Sequence, residues 1–410
     1  MGVTGHHERE MLAFRRRNTA ACIGALRDNG ASTFSELART TGLSRPTVES
    51  IVGELVTHDL VTEDALPSGT GPKAGRPARR YRFNDTAAYV ASVDLGLHRV
   101  TVLVSNLAGV IVAHLARELP DGIDGGSLAG LVSEVLAEAL GSRGLVTDSL
   151  AAVTVCVTGI VDDGGRLLQS NVLPEWNGVD LAARFGAGLS CAVIVENDVN
   201  MAAVGEMHSG AAQNVDDVVF VMVGHRISAA IMLNGTLHRG RNFAAGEVGD
   251  LEPTGWGYQD VHETSVLGAF LGRSPEDVFA AAQAGDAEAT GLVQAFAQRI
   301  IRGIAVVGLT IDPDLIVIGG GLSAAGDVLL GQLRAEFAQL VVRRVQPGMV
   351  SSTLGMNGVA LGGLVRAFEF VSDRLYGSRD VAVPRLTLAT VPEGLLEAPF
   401  GRQLAASAAH

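Results

Sequence analysis

The chain has 410 residues, with 31 Lys+Arg against 44 Asp+Glu for a net charge of −13. That length exceeds what one hydrophobic core usually organises, so two or three domains are expected. No uncharged apolar run reaches the roughly 20 residues of a bilayer span, and the charged stretch from Glu8 to Arg17 precedes no hydrophobic signal segment; a soluble, cytoplasmic protein is expected, with no membrane partner.

Charge divides unevenly along the chain. Residues 1–85 carry 12 Lys+Arg and 10 Asp+Glu, including Lys73, the only lysine, whereas the rest carries 19 and 34. So acidic a body repels nucleic acid, which confines any DNA contact to the N-terminal segment. Cys22, Cys156 and Cys191 stand far apart without a paired spacing, so neither a disulfide framework nor a zinc site is supported. His6-His7 reads as part of a polar terminus rather than as half of a metal site.

Three short helical patterns open the chain. Ala20, Ile23 and Leu26 repeat at helical spacing before Asn29-Gly30; Phe34, Leu37 and Ala38 do so before Gly42; Val48, Ile51, Val52 and Leu55 form a third stripe. Three helices with a tight Gly turn suggest a helix-turn-helix, although small trihelical modules also serve as protein-docking domains. Ser44 is a good N-cap for the third helix, Pro46 fits its first turn, and Arg45, Thr47 and Ser50 lie off the apolar stripe, where they could reach base edges in a major groove. Two short strands, 60–62 and 81–83, flank the Pro/Gly-rich stretch 67–77 in the layout of a wing carrying Lys73, Arg76, Arg79 and Arg80. Gly75-Arg76-Pro77 is similar to the Arg-Pro elements that enter narrow A·T minor grooves; a solvated linker is the competing reading.

From Tyr89 the composition turns to Ala/Val/Gly-rich α/β. Residues 90–93, 100–104 and 110–113 read as consecutive antiparallel strands, 127–140 as a helix, and 153–157 and 192–195 as strands buried on both faces. The pattern restarts at 218–223 and 228–233 and closes on a strand running into Gly319-Gly320-Gly321, a tight strand-to-helix turn. Gly355 to Gly363 suggest close helix packing, and 379–389 hold a candidate strand. The expected division is a winged helix-turn-helix over 1–86, a two-lobed domain over 87–375 and a C-terminal extension over 376–410.

Five segments in order, Asp94-Leu95-Gly96, Asn171-Val172-Leu173-Pro174-Glu175-Trp176, Glu196-Asn197-Asp198, Gly246-Glu247-Val248-Gly249 and Ile318-Gly319-Gly320-Gly321-Leu322, carry a resemblance over about 15–370. The chain resembles ROK-family transcriptional regulators, which join a winged helix-turn-helix to an actin-like (ribonuclease H-like) sugar-kinase fold of two lobes. The resemblance implies that Asn197 and Asp198 bind sugar hydroxyls, with Asp198 the general base if the chain is a kinase. A helix cap is the competing reading of the same pair. It also implies sugar contacts from Asn171, Glu247 and Glu263. The family's Glu-x-Gly-His reads Glu247-Val248-Gly249-Asp250 here, no cysteine follows in 251–263, and zinc is not expected; Asp250 replaces an imidazole and could shift ligand preference. His262 reads as packing.

Both glycine-rich phosphate loops of the family depart from pattern. The first reads Asp94-Leu95-Gly96-Leu97-His98-Arg99 and the second Gly224-His225-Arg226-Ile227-Ser228, so Leu97, His225 and Arg226 are expected to obstruct the phosphate track. The reading reached is a homodimeric or homotetrameric repressor of carbohydrate-related genes that binds a double-stranded operator and senses a sugar or sugar derivative with a degenerate kinase domain, without cofactor or metal. An active ATP-dependent sugar kinase is the alternative.

Overall fold

The computed structural model describes residues 3–64, 79–120, 123–224, 226–256, 270, 273–322, 326–342 and 346–388. Its N-terminal unit comprises helices α1 (Val3–Asn29), α2 (Phe34–Thr41) and α3 (Arg45–Thr57) and the antiparallel pair β1 (Val61–Asp64) and β2 (Arg80–Phe83). Local chemistry fixes each boundary. Thr33 and Glu36 form a capping box before α2, Gly42 ends it in the left-handed region at φ 71°, and the Ser44 hydroxyl accepts from the Thr47 amide at 3.3 Å to start α3. Ile23, Leu26, Leu37, Val48, Val52 and Leu55 close the core, and the ring of Phe34 stacks on Tyr81 at 4.4 Å.

One boundary differs from expectation: α1 begins at Val3, well before the apolar repeat at Ala20. Its front half is rich in good helix formers, Arg and Glu with Met11, Leu12 and Ala13, so propensity extends the helix. Met11, Leu12 and Phe14 are exposed there.

The first lobe contains β3 (Tyr89–Leu95), β4 (Arg99–Asn106), β5 (Val110–Glu118), α4 (Gly125–Gly141), β6 (Leu150–Val157), the hairpin of β7 (Ile160–Val161) and β8 (Leu167–Gln169), α5 (Leu181–Gly186), β9 (Ala192–Asn197) and α6 (Asp198–Ser209). The second contains β10 (Val218–Val223), β11 (Ile227–Leu233), β12 (Thr236–Leu237), α7 (Pro275–Gln283), α8 (Ala287–Ile311), β13 (Leu315–Gly319), α9 (Gly326–Leu340) and β14 (Gly348–Ser351). The chain then returns to the first lobe through α10 (Gly358–Tyr376) and β15 (Thr387–Leu388).

Strand order is β15-β5-β4-β3-β6-β9 in one sheet and β12-β11-β10-β13-β14 in the other. Each sheet joins an antiparallel hairpin to parallel strands: β6 runs parallel to β3 and β9 to β6, while β13 runs parallel to β10. The register aligns Leu95, Val157 and Asn197, so the carboxyl ends of three parallel strands meet along one edge. Ligands of open parallel sheets bind outside such an edge.

Helices α6 and α10 lie together between the sheets, with Val199, Met201 and Ala202 packed toward Phe220, Ala230 and Val317. The close packing expected at 355–363 is present: a Cβ on Gly362 would overlap the Met201 carbonyl, and one on Gly205 the Gly358 carbonyl. The far end of α10 joins the N-terminal unit, because Val371 and Tyr376 share one apolar cluster with Ile23, Leu26 and Phe83. The stretch 379–389 holds the strand β15, which pairs Thr387 and Leu388 with Val110 and Ile111 of β5, and Ala389 lies outside the described residues. Helix α8 is long and apolar enough to cross a membrane, yet it buries Phe296, Ile300 and Ile304 in the second lobe's core.

Candidate functional site

An open cleft lies at the carboxyl edge of β6 and β9, its lining drawn from both lobes. Asn171, Asn197, Asp198, Glu247 and Asp250 all line it, so the structure brings together five of the six ligand residues singled out in the sequence. The sixth, Glu263, and its neighbour His262 lie outside the described residues.

Asn197 takes two roles at once. Its Oδ1 caps α6 by accepting from the Asn200 amide at 2.8 Å, and its Nδ2 donates to the Gly159 carbonyl at 2.9 Å, which fixes the side chain at the cleft wall. The capping reading of the Asn-Asp pair is therefore realised by the Asn, and it coexists with the cleft position. Asp198 stands in the first turn of α6, where Oδ2 accepts from Thr158 Oγ1 at 2.6 Å and Oδ1 from the Val199 amide at 2.8 Å. Glu196 turns away: its Oε1 accepts from Arg239 Nη2 at 2.6 Å and Arg366 Nε at 2.8 Å, tying β9 to the second lobe and to α10.

Glu247 depends on the glycine before it. Gly246 sits at φ 95°, and a side chain there would strike the Ala229 carbonyl, so only glycine lets this turn lie flat on β11. The one-turn 3-10 helix Val248–Asp250 then carries Asp250 to the same cleft.

Three carboxyls here hold their protons more tightly than usual. Burial pushes Asp94, at the end of β3, up to about 8, with the nearby Asp198 charge adding and Arg99 opposing. Burial also raises Asp198, against the hydrogen bonds from Thr158 and Val199 and the charge of Arg226. Glu247 rises to about 7 through burial, then the charges of Asp250 and Asp198. Displaced carboxyls clustered in a cleft are a marker of functional sites.

Sequence reasoning left several lining residues out of its ligand set. Thr158, Ser170 and Ser228 also face the cleft, and Ser170 Oγ donates to the Thr158 carbonyl at 2.7 Å. The signal for Thr158 was its position directly after an apolar strand; Ser170 sits on a hairpin with no apolar pattern and carried none. Arg226, treated as an obstruction in the second phosphate loop, is part of the cleft wall. Leu97 is exposed, and His225 lies outside the described residues.

The candidate nucleic-acid surface is the start of α3. Arg45 and Ser50 are exposed; Arg45 Nε pairs with Glu49 at 2.9 Å, and the Thr47 hydroxyl lies 2.7 Å from that of Ser44. In the wing, Arg79 pairs with Glu63 at 3.1 Å, whereas Arg80 donates to the Ala31 carbonyl and lies 4.0 Å from Glu36, bracing β2 against α2. Lys73 and Arg76 lie outside the described residues.

Comparison with known proteins agrees with this geometry. The IclR helix-turn-helix domain matches residues 19–65, and the ROK family matches 90–269 and 271–365. The xylose repressor of Bacillus subtilis is 23% identical over 372 residues, covering 85% of this chain and 94% of its own. A glucokinase of Halalkalibacterium halodurans is 27% identical over 310 residues, covering 67% of this chain and 93% of its own. The crystal structure of a ROK family transcriptional regulator, a homolog of the E. coli MLC protein, superposes with a TM-score of 0.67 at 20% identity, covering 90% of this chain and 99% of that one. Its fold, the order of its two lobes and the extent of the match together place this chain in the ROK family, with a helix-turn-helix domain at its N-terminus.

Proposed function

We propose that the chain is a sugar-responsive, DNA-binding transcriptional repressor. One observation carries this reading: the helix-turn-helix shares a hydrophobic core with the end of α10, and α10 packs along α6, whose N-cap and first residue are Asn197 and Asp198 of the cleft. A change at the cleft thus has a continuous packed route to the surface that would meet DNA. A relative named xylose repressor supports the same reading.

Sugar hydroxyls suit the cleft, since amides and hydroxyls both donate and accept while carboxylates accept. The sugar acts by differential affinity. If it binds the closed lobes more tightly than the open ones, it shifts that equilibrium and moves two recognition helices relative to half-sites about one helical turn apart. A homodimer or homotetramer supplies the second helix. Coupling of roughly 1 to 3 kcal/mol changes operator affinity about 5- to 150-fold.

The kinase domain serves here as a sensor. Phosphoryl transfer needs backbone amides close to the phosphates, and the family's small loop residues are replaced by Leu97, His225 and Arg226. The retained Asp198 keeps the kinase alternative in play as a second reading. Fluorescence anisotropy on DNA from the gene's own upstream region, at fixed salt and with a panel of monosaccharides and their phosphates, tests the regulator reading. Binding altered by one sugar supports it. ATP turnover on a hexose, abolished by Asp198→Asn, overturns it.

A further inference from the structure

We infer that the effector is an amino sugar whose ammonium group is held between Glu247 and Asp250. This rests on the sensor reading of the cleft and narrows its ligand by charge.

Among the described residues, the cleft wall has three carboxyl groups, Asp198, Glu247 and Asp250, and one cation, Arg226. The charge of Arg226 acts on Asp198, whose oxygens are also held by Thr158 and the Val199 amide. Asp198 is thus provided for within the protein. Glu247 and Asp250 are not: among the described residues neither side chain makes a hydrogen bond or ion pair. They sit on one turn, joined by the Asp250 amide donating to the Glu247 carbonyl at 3.3 Å, and their charges oppose each other.

A partly buried carboxylate beside a second one pays for desolvation and for repulsion together. A neutral hydroxyl can hydrogen-bond to either group but leaves the net charge in place. An ammonium offers three donors and cancels charge on both, so it relieves the two costs at once. The cleft is also lined by the neutral groups Asn171, Asn197, Ser170 and Ser228, which suit the remaining hydroxyls of a sugar ring. An N-acetyl group lacks the charge that this arrangement selects.

The test is isothermal titration calorimetry and thermal shift of the full chain with hexosamines, their N-acetyl derivatives and the parent hexoses, at a pH where the amine is protonated. The free amine is expected to bind at least about tenfold tighter than either neutral form. Asp250→Asn and Glu247→Gln, which keep the side-chain shape and remove the charge, are each expected to bring the ratio of amine to neutral-sugar affinity within about twofold. Equal or tighter binding of a neutral sugar overturns the assignment and leaves the sensor reading standing. Silence from all three classes overturns both.

Discussion

Arg27, in the last turn of α1, donates from Nη2 to the Tyr376 hydroxyl at 2.9 Å and also lies over the rings of Phe83 and Tyr376. Its Nη1 reaches the Ala382 carbonyl at 3.0 Å, so one guanidinium joins the helix-turn-helix, its β2 strand, α10 and the chain beyond α10. Close by, Ser378 Oγ donates to the Arg16 carbonyl at 2.9 Å.

If the cleft signals through α6 and α10, this junction must transmit the signal. Arg27→Ala is expected to leave sugar-free operator affinity within about threefold of the parent, because α3 is untouched, while the sugar-dependent change falls several-fold from the roughly 5- to 150-fold expected of such coupling. Tyr376→Phe keeps the ring and removes only the hydroxyl, so its effect should be smaller, on the order of 1 kcal/mol. Anisotropy titrations with and without the effector measure both. An unchanged sugar response in Arg27→Ala would place the route elsewhere.

Asp94 makes stability depend on pH in a definite direction. Its folded-state value, about 8, lies far above the ordinary 3.8, so between those limits the native state binds the extra proton. Stability contributed by protonated Asp94 is therefore lost as pH rises toward 8. Glu247, raised to about 7, adds to the same slope. Chemical denaturation from pH 5 to pH 8 should show a loss on the order of 1 to 3 kcal/mol, less than the full shift would imply because water relaxes the site, and Asp94→Asn should flatten most of it. A slope unaffected by Asp94→Asn would mean that this carboxyl is ionised in the native protein.

The structure also explains which features could be read from sequence. Short-range signals resolved well for the Ser44 cap, the Gly42 turn and the buried strand at 153–157, whereas 192–195, expected to be buried on both faces, forms the edge strand β9 with Ala192, Val193 and Ile194 only half-buried. The approach of Asn197 and Asp198 to Glu247 is not local, and only the family resemblance linked them. The bracing of β2 by Arg80 was likewise hidden, because the Ala31 carbonyl that it reaches lies far away in the chain. The orientation of Glu196 toward Arg239 and Arg366 was equally hidden, because both arginines come from distant segments.

Two glycine substitutions separate steric necessity from propensity. Gly362→Val would drive a side chain into the Met201 backbone at the α6–α10 contact, where no flexible atom can yield. A loss of more than about 3 kcal/mol in urea unfolding is expected, if the variant folds at all. Gly130, on the exposed face of α4, has nothing within 4 Å of an added Cβ. There Gly130→Ala should stabilise by about 0.5 to 1 kcal/mol through helix propensity and a less flexible unfolded chain. Comparable losses at both positions would mean that α6 and α10 do not touch as closely as their glycines permit.

The recognition surface itself is tested at the first turn of α3. Arg45 is exposed and its partner Glu49 stands one turn away on the same helix, so the pair can part at little cost when DNA offers a stronger anion or a guanine edge. Arg45→Ala should weaken operator binding by about 1 to 3 kcal/mol. The salt dependence then identifies the contact. A phosphate contact lowers the slope of log K against log salt by about one and weakens all sequences alike, whereas a base contact keeps the slope and relaxes preference at one operator position. Ser50→Ala, also exposed and farther along α3, should cost less because it removes no charge. If neither substitution moves affinity, slope or sequence preference, α3 does not enter the groove and the wing must carry the recognition.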